Sequence, residues 1–393
     1  MAFFRNSTVN LLNLHYAIHA IALTGGGALF SAYLLKAGMS VPGTLTVFAL
    51  ILIGRLILRP SVVFLAMRFG VRKLVIAGTA LTALQYPFLA GVHGINAALI
   101  GLVVSGAIGD TLYWSTYHAY FAALGDHEAR GHQIGAREAI SAIVGIASPL
   151  IASALLVAFG PQVAFGISGA IVLAAALPLF WTPDVTVPVT ANGIYRQAFQ
   201  GILLFMGDGS AAVSFSIVWN LALFLTLGEN FLSYGGALAI AAVVGAIGSL
   251  LLGRHIDAGH GLRALWLAFG TVAIVAVARA LALNDPPLAV AANAAGSLSG
   301  CLYIPTLMTA VYNMAKGSHC VLRFHVATEG GWDVGGASTL LIAALLIKSG
   351  TPLWACVLLS LVGLALNFVI LQRYYASHPG IEIDTAIKDP AGA

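Results

Sequence analysis

Apolar stretches long enough to cross a bilayer fill almost the whole chain, and short polar turns are all that separates them. One crossing needs about 20 apolar residues at a rise of roughly 1.5 Å each. The pattern predicts twelve such helices, at roughly 12–36, 43–67, 74–93, 96–122, 135–159, 162–181, 201–226, 231–253, 264–284, 288–314, 325–347 and 352–373. With 60% hydrophobic and only 8% charged residues, the chain lacks the material for a soluble surface. Strand-like alternation is absent and Ala, Leu and Gly dominate, which favours helices over a barrel. The expected fold class is an all-α membrane protein of twelve transmembrane helices.

The chain also repeats itself once, about 190 residues on. Gly106 and Leu112-Tyr113 recur as Gly296 and Leu302-Tyr303. After a one-residue slip, Arg137-Glu138-Ala139 and Gly145 match Thr328-Glu329-Gly330 and Gly336. Ile151-Ala152 and Leu155 then match Ile342-Ala343 and Leu346. A duplicated bundle of membrane helices suits a transporter, because two similar halves can rock around a site between them. The expected division is a first six-helix bundle at 1–182, a linker at 183–200, a second bundle at 201–374 and a disordered tail at 375–393. Pro183, Pro188 and Gly193 mark the linker.

An even number of spans puts both termini on one side. Arg5, Arg68, Arg72, Lys73, Arg130, Arg137, Arg196, Arg254, Arg263, Lys316, Arg323, Arg373 and Lys388 fall there, against Lys36 and Lys348 on the other face with Arg279 near it. Lys and Arg favour cytoplasmic loops, so both termini are expected inside, in a plasma or bacterial inner membrane. Arg279, near the outer end of its span, is expected to snorkel or pair outside. The first span reads as an uncleaved signal anchor, since no small-residue cleavage site follows it. A net charge of +4 spread over short loops makes no nucleic-acid patch, and Cys301, Cys320 and Cys356 form no pair or metal motif. No cofactor or metal is expected, and a monomer suffices for this architecture.

Three loops carry a family resemblance. Arg68-Phe69-Gly70-Val71-Arg72-Lys73 lies between spans two and three. Gly253-Arg254-His255-Ile256-Asp257-Ala258-Gly259-His260-Gly261-Leu262-Arg263 lies at the matching place in the second half. Gly125-Asp126-His127-Glu128-Ala129-Arg130-Gly131 sits between spans four and five. Together these resemble the loop signatures of the major facilitator superfamily, a family of secondary transporters. Met67 stands where the first signature has its aspartate, and the second has one extra residue before Gly261. The resemblance implies alternating access and assigns gating to Gly70, Arg72, Gly253, Asp257, Gly261 and Arg263. Span four has Leu102 near the place of an antiporter arginine, and Gly145, Ser148 and Pro149 echo an antiporter glycine-proline motif only in part. No subfamily is identified.

Ionisable residues inside spans are costly and mark function or pairing. Arg55 and Asp110 fall near mid-depth of spans two and four and are expected to pair, with Arg59 one turn deeper. Asp208 lies early in span seven. His15 and His19, four apart on span one, stand at the repeat-related height. Glu329 and Asp333, also four apart, should not both ionise in low dielectric. Glu329 and its repeat counterpart Glu138 are expected to brace loops through Arg263, Arg323 or Arg72, leaving Asp333 for the cavity. Trp114, Tyr117, Trp219 and Asn220 are candidates to present rings and polar tips to a solute. The expected function is alternating-access transport of a small organic solute, coupled to protons at Asp208, Asp333 or Asp110. The other reading is a non-transporting membrane binding or scaffold protein on the same fold. No constellation for an enzyme stands out.

Overall fold

The computed structural model describes residues 6–124, 130–185, 194–252 and 261–377. Among these residues the secondary structure is helical throughout, without strands. Eleven stretches are long and apolar enough to span a membrane. One of them, Ile143–Trp181, runs for 39 residues, well beyond a single crossing. It belongs to the helical run Arg130–Ala175, which leaves helical geometry at Gly160 (φ 80°, ψ 174°). Side chains rarely tolerate that φ, so glycine marks the break. Pro161 follows and cannot continue the hydrogen-bond ladder backward. The run therefore holds two helices, which makes twelve among the described residues.

In chain order these are α1 (Ser7–Lys36), α2 (Val41–Phe69), α3 (Val71–Ala90), α4 (Ala97–Leu124), α5 and α6 (130–159 and 161–175), α7 (Tyr195–Thr226), α8 (Phe231–Leu252), α9 (Gly261–Leu281), α10 (Pro286–Lys316), α11 (Val321–Lys348) and α12 (Leu353–Ser377). Starts are capped as the sequence dictates. Ser40 accepts from Gly43 N ahead of α2, and Asp285 from Leu288 N ahead of α10, each with proline in the first turn. Two limits differ from expectation. Helical structure begins at Ile194, inside the expected linker. α12 continues to Ser377, because Tyr375 is buried and donates to Thr306 O at 2.7 Å.

α1 and α7 share a feature. Each contains one π-helical turn, Leu23–Gly27 and Ser214–Val218, at positions related by the repeat. A π turn leaves backbone carbonyls badly served within the helix. Tyr86 of α3 donates to Ala22 O just before the first turn, and Arg279 of α9 donates to Phe215 O inside the second.

Burial is unequal between the two ends. At the end holding the 37–40, 227–230 and 349–352 turns, one apolar core runs through both halves, from Leu29, Phe30 and Leu52 to Trp219, Phe224 and Leu340. Lys36 and Glu229 also pair there at 2.7 Å. At the end holding the chain termini the buried core falls into two smaller clusters, with Leu322 of α11 packing against the first. One is built from α1–α4 around Leu12, Leu74 and Tyr120, the other from the last six helices around Leu204, Phe269 and Phe324. The apolar core is thus joined at one end and divided at the other. The outside of the molecule shows large apolar side chains such as Phe64, Phe159, Ile274 and Leu345, as a lipid-facing surface requires.

Candidate functional site

Four charged residues of the spans, Arg55, Arg59, Glu329 and Asp333, gather where α2 meets α11. α7 and α11 are held unusually close to build this wall. A Cβ added to Gly331 would strike Ile202 O, one on Gly335 would strike Met206 O, and one on Gly209 would strike Trp332 O. That backbone-to-backbone contact turns Asp208, Trp332 and Asp333 toward the interior.

Arg59 and Arg55 reach this wall from α2. Arg59 Nε donates to Asp333 Oδ2 at 2.8 Å, Nη2 donates to the same oxygen, and Nη1 donates to Ser115 Oγ of α4 at 2.9 Å. Arg55 Nη2 lies 3.0 Å from Asp333 Oδ1 and 3.7 Å from Glu329 Oε2, and Arg59 Nη1 lies 3.6 Å from Glu329. Asp333 is fully buried, and Arg55 and Arg59 nearly so. In so dry a place either sign alone would be prohibitive, and two cations facing two anions resolve the cost. Charge pairing here joins the first six helices to the last six.

A second polar chain runs deeper into the last six helices. Asp208 accepts from Trp332 Nε1 at 3.2 Å and from Tyr303 OH at 2.9 Å, and Tyr303 OH accepts from Asn367 Nδ2 at 3.0 Å. The Arg55 guanidinium lies 5.5 Å from the Trp332 ring centre, linking the two chains. The repeat shows in this geometry. Tyr113 OH meets His15 Nε2 at 3.1 Å in the first half, as Tyr303 meets Asp208 in the second.

Three expectations need correction. Arg55 does not pair with Asp110. Asp110 accepts from Gln85 Nε2 at 3.0 Å and from Thr82 Oγ1 at 3.5 Å, while the Arg55 head forms its ion pairs with Asp333 and Glu329. Glu329 does not brace the loops. It sits with Asp333 against the same two arginines of α2. Arg279 does not snorkel. It is 5% exposed, with its guanidinium 4.7 Å from both the Phe215 and the Trp219 ring centres. The missing neighbour on Gly296, where a Cβ would strike Arg279 Nη2, leaves the room for it.

The remaining candidates are dispersed. His15 and His19 are buried within the first six helices. His15 Nδ1 meets Ala175 O at 2.6 Å, and His19 stacks on Tyr113 at 4.5 Å. Tyr117 is fully buried and stacks on Tyr16 and Tyr113. Trp114 is half-buried and stacks on His118. Trp219 is fully buried and donates to Asn293 Oδ1 at 2.9 Å, while Asn220 beside it is half-buried.

Gly70 adopts φ 86° and lies against the Asp184 carboxylate. Arg72 N donates to Asp184 Oδ1 at 3.0 Å, and Arg72 Nη1 to Thr182 O at 2.8 Å. The α2–α3 loop is therefore tied to the end of its own half. Asp184 was not singled out from sequence, although an acid opposite a basic loop in a Pro-marked linker is a readable signal. Gly253 and Asp257, the side chain of Glu138 and the 125–129 loop lie outside the described residues, while Gly261 opens α9 and Arg263 is exposed two residues on.

The sequence pattern of the Major Facilitator Superfamily matches residues 12–314. No curated protein matches significantly. Among solved structures, the POT family transporter PepTSo superimposes with a TM-score of 0.67 at 12% identity, covering 95% of this chain and 99% of that one. The E. coli fucose:proton symporter FucP gives 0.63 at 14% identity, over 93% and 98% of the two chains. An auto-inhibited POT family peptide transporter gives 0.62 at 12% identity, over 95% and 97%. At such identities the likeness is one of fold.

Proposed function

The chain belongs to the Major Facilitator Superfamily, a family of transporters, and from that premise we propose a proton-coupled secondary transporter that moves a small organic solute by alternating access. It works in the plasma membrane, the inner membrane of a bacterium, with both termini in the cytoplasm. Residues 1–182 rock against 201–374, and the divided end is the cytoplasmic one, which opens in the inward-facing state.

The observation that carries this reading is the pairing of Arg55 and Arg59 with Asp333 and Glu329 across the seam. A proton on Asp333 removes the charge that Arg59 holds, and the seam loosens. A gradient does work only if such a group exchanges protons differently in the two states. Asp208 belongs to the same device. Its carboxylate is held by Trp332, the residue next to Asp333, so protonation at one site alters the other through a shared turn of α11. The solute binds between α1, α4, α7 and α10, with Trp114 on one side and Asp208 on the other. Asp110 is a further titrating candidate. Gly70, Arg72, Gly261 and Arg263 serve the closing of the cytoplasmic end, with Gly253, Asp257 and Glu138 as their partners.

Reconstituted protein in liposomes provides the test. A library screen by thermal shift supplies the solute, and flux is then followed with and without an imposed pH gradient. Asp333→Asn and Asp208→Asn are expected to keep solute counterflow and lose gradient-driven accumulation. Accumulation at the wild-type level in both variants overturns the coupling proposal.

A further inference from the structure

A groove runs along the outside of the seam between α2 and the α7–α11 wall, on the terminus side of the charge cluster. Its volume is about 700 Å³. Val63, Phe64 and Met67 form one wall, and Ile202, Met206 and Val326 the other. Helix register turns most of its lining away from the polar interior, and Arg59 borders both, its head spent on Asp333. On α11, Trp332 and Asp333 turn toward Asp208 and the arginines, whereas Val326, Gly330 and Val334 recur every four residues on the groove side. Phe64 is 58% exposed here, and Ile57 on the same helix 71%. Side chains of that kind face lipid in a membrane-spanning bundle.

Two arginines line the groove, Arg59 at its inner side with its guanidinium bonded to Asp333 and Ser115, and Arg323 at the other end. Arg323 lines its mouth, in the first turn of α11, at the depth where the apolar span begins. Val334, near the far limit, lies eleven residues further, about 16 Å along the helix. Arg68, Arg72, Lys73 and Arg196 occupy the same end of the molecule. An occupant must therefore combine an anionic head at the boundary with an apolar chain running inward from it. A polar metabolite fits only the mouth, and a peptide would leave its backbone unsatisfied in lipid.

We propose that this groove seats one acyl chain of an anionic membrane phospholipid, with the headgroup phosphate held by Arg323. The two walls come from different halves, so a seated chain keeps α2 apart from α11 at this end. A ligand that binds one arrangement better than another shifts the balance toward it. Anionic lipid thereby favours the state that is open at the terminus side.

The test uses the full chain, delipidated in detergent and titrated with phosphatidylglycerol, with phosphatidylcholine as the neutral control. Native mass spectrometry counts the lipid retained. One phosphatidylglycerol per chain is expected, held about fivefold more tightly than phosphatidylcholine, the size of one arginine–headgroup attraction. Arg323→Gln should abolish that preference. Gly330→Leu should abolish retention of both lipids. A Cβ at this position meets only Leu56 Cδ1 at 3.7 Å and Arg59 Cδ at 3.8 Å, so the larger side chain grows into the groove and not into backbone. Equal retention of the two lipids by the wild type means an unselective lipid annulus and overturns the proposal. So does undiminished phosphatidylglycerol retention in a Gly330→Leu protein that elutes as a single folded species. Should Gly330→Leu fail to fold, the loss or persistence of headgroup preference in Arg323→Gln decides.

Discussion

Arg59 Nε and Asp333 Oδ2 lie 2.8 Å apart, although 274 residues separate them along the chain. Arg59 comes from the first six helices and Asp333 from the last six. The pair is therefore both a local answer to burial and a bond between the two parts that transport must move. Removing Arg59 alone leaves a fully buried anion with half its compensation. Arg59→Gln should destabilise the protein by about 3 kcal/mol, and Arg59→Gln with Asp333→Asn by much less than the two single changes together. Thermal unfolding in detergent measures the cycle. Simple additivity of the two changes would show that the pairing contributes nothing.

The glycines of α11 divide by what faces them. Gly335→Ala and Gly331→Ala push against the carbonyls of Met206 and Ile202, which belong to backbone and cannot swing aside. Each should cost about 1–3 kcal/mol. Gly330→Ala meets only side-chain atoms at ordinary contact distance and should be near neutral. Comparing unfolding temperatures of the three variants checks the contact between α7 and α11, and an equal effect in all three would argue against it.

Arg279 offers a contrast in charge. No acid pairs with it among the described residues, and it rests on two aromatic faces and one carbonyl. Replacing such a buried cation by an apolar chain of similar volume is often neutral or stabilising. Arg279→Met should keep or raise the unfolding temperature. Gly296→Ala, which drives a methyl into the guanidinium, should lower it and change the emission of Trp219. A sharp loss of stability in Arg279→Met would assign the arginine a hidden anionic partner.

Lys36 and Glu229 meet at the joined end, each 43% exposed. An exposed pair of this kind contributes at most about 1 kcal/mol. Lys36→Gln should therefore leave stability almost unchanged. The geometry matters more than the energy. Carbodiimide should convert the pair to an amide and tie the two halves together, and the cross-linked protein should bind solute without turning over. Full transport by cross-linked protein would show that this end need not part.

Sequence alone determined the class of molecule. Twelve apolar lengths, their short capped turns and the duplication are local properties, read from spacing and composition, and burial in lipid permits only helices for such a chain. The likeness of Tyr113 to Tyr303 was legible for the same reason, since a repeat preserves position. The break at Gly160 was legible too, because glycine and proline act on their own backbone. Partnership was not legible. Depth along a helix placed Arg55 beside Asp110, but depth says nothing about azimuth, and azimuth is set by how helices pack. The close approach of α7 to α11 through Gly209, Gly331 and Gly335 turned Asp333 and Glu329 toward α2 and so chose the partners of both arginines. The same packing left Arg279 pointing inward against Trp219 and opened the groove beside Gly330. Charges in a low dielectric are decided by distance, and only the tertiary structure sets those distances.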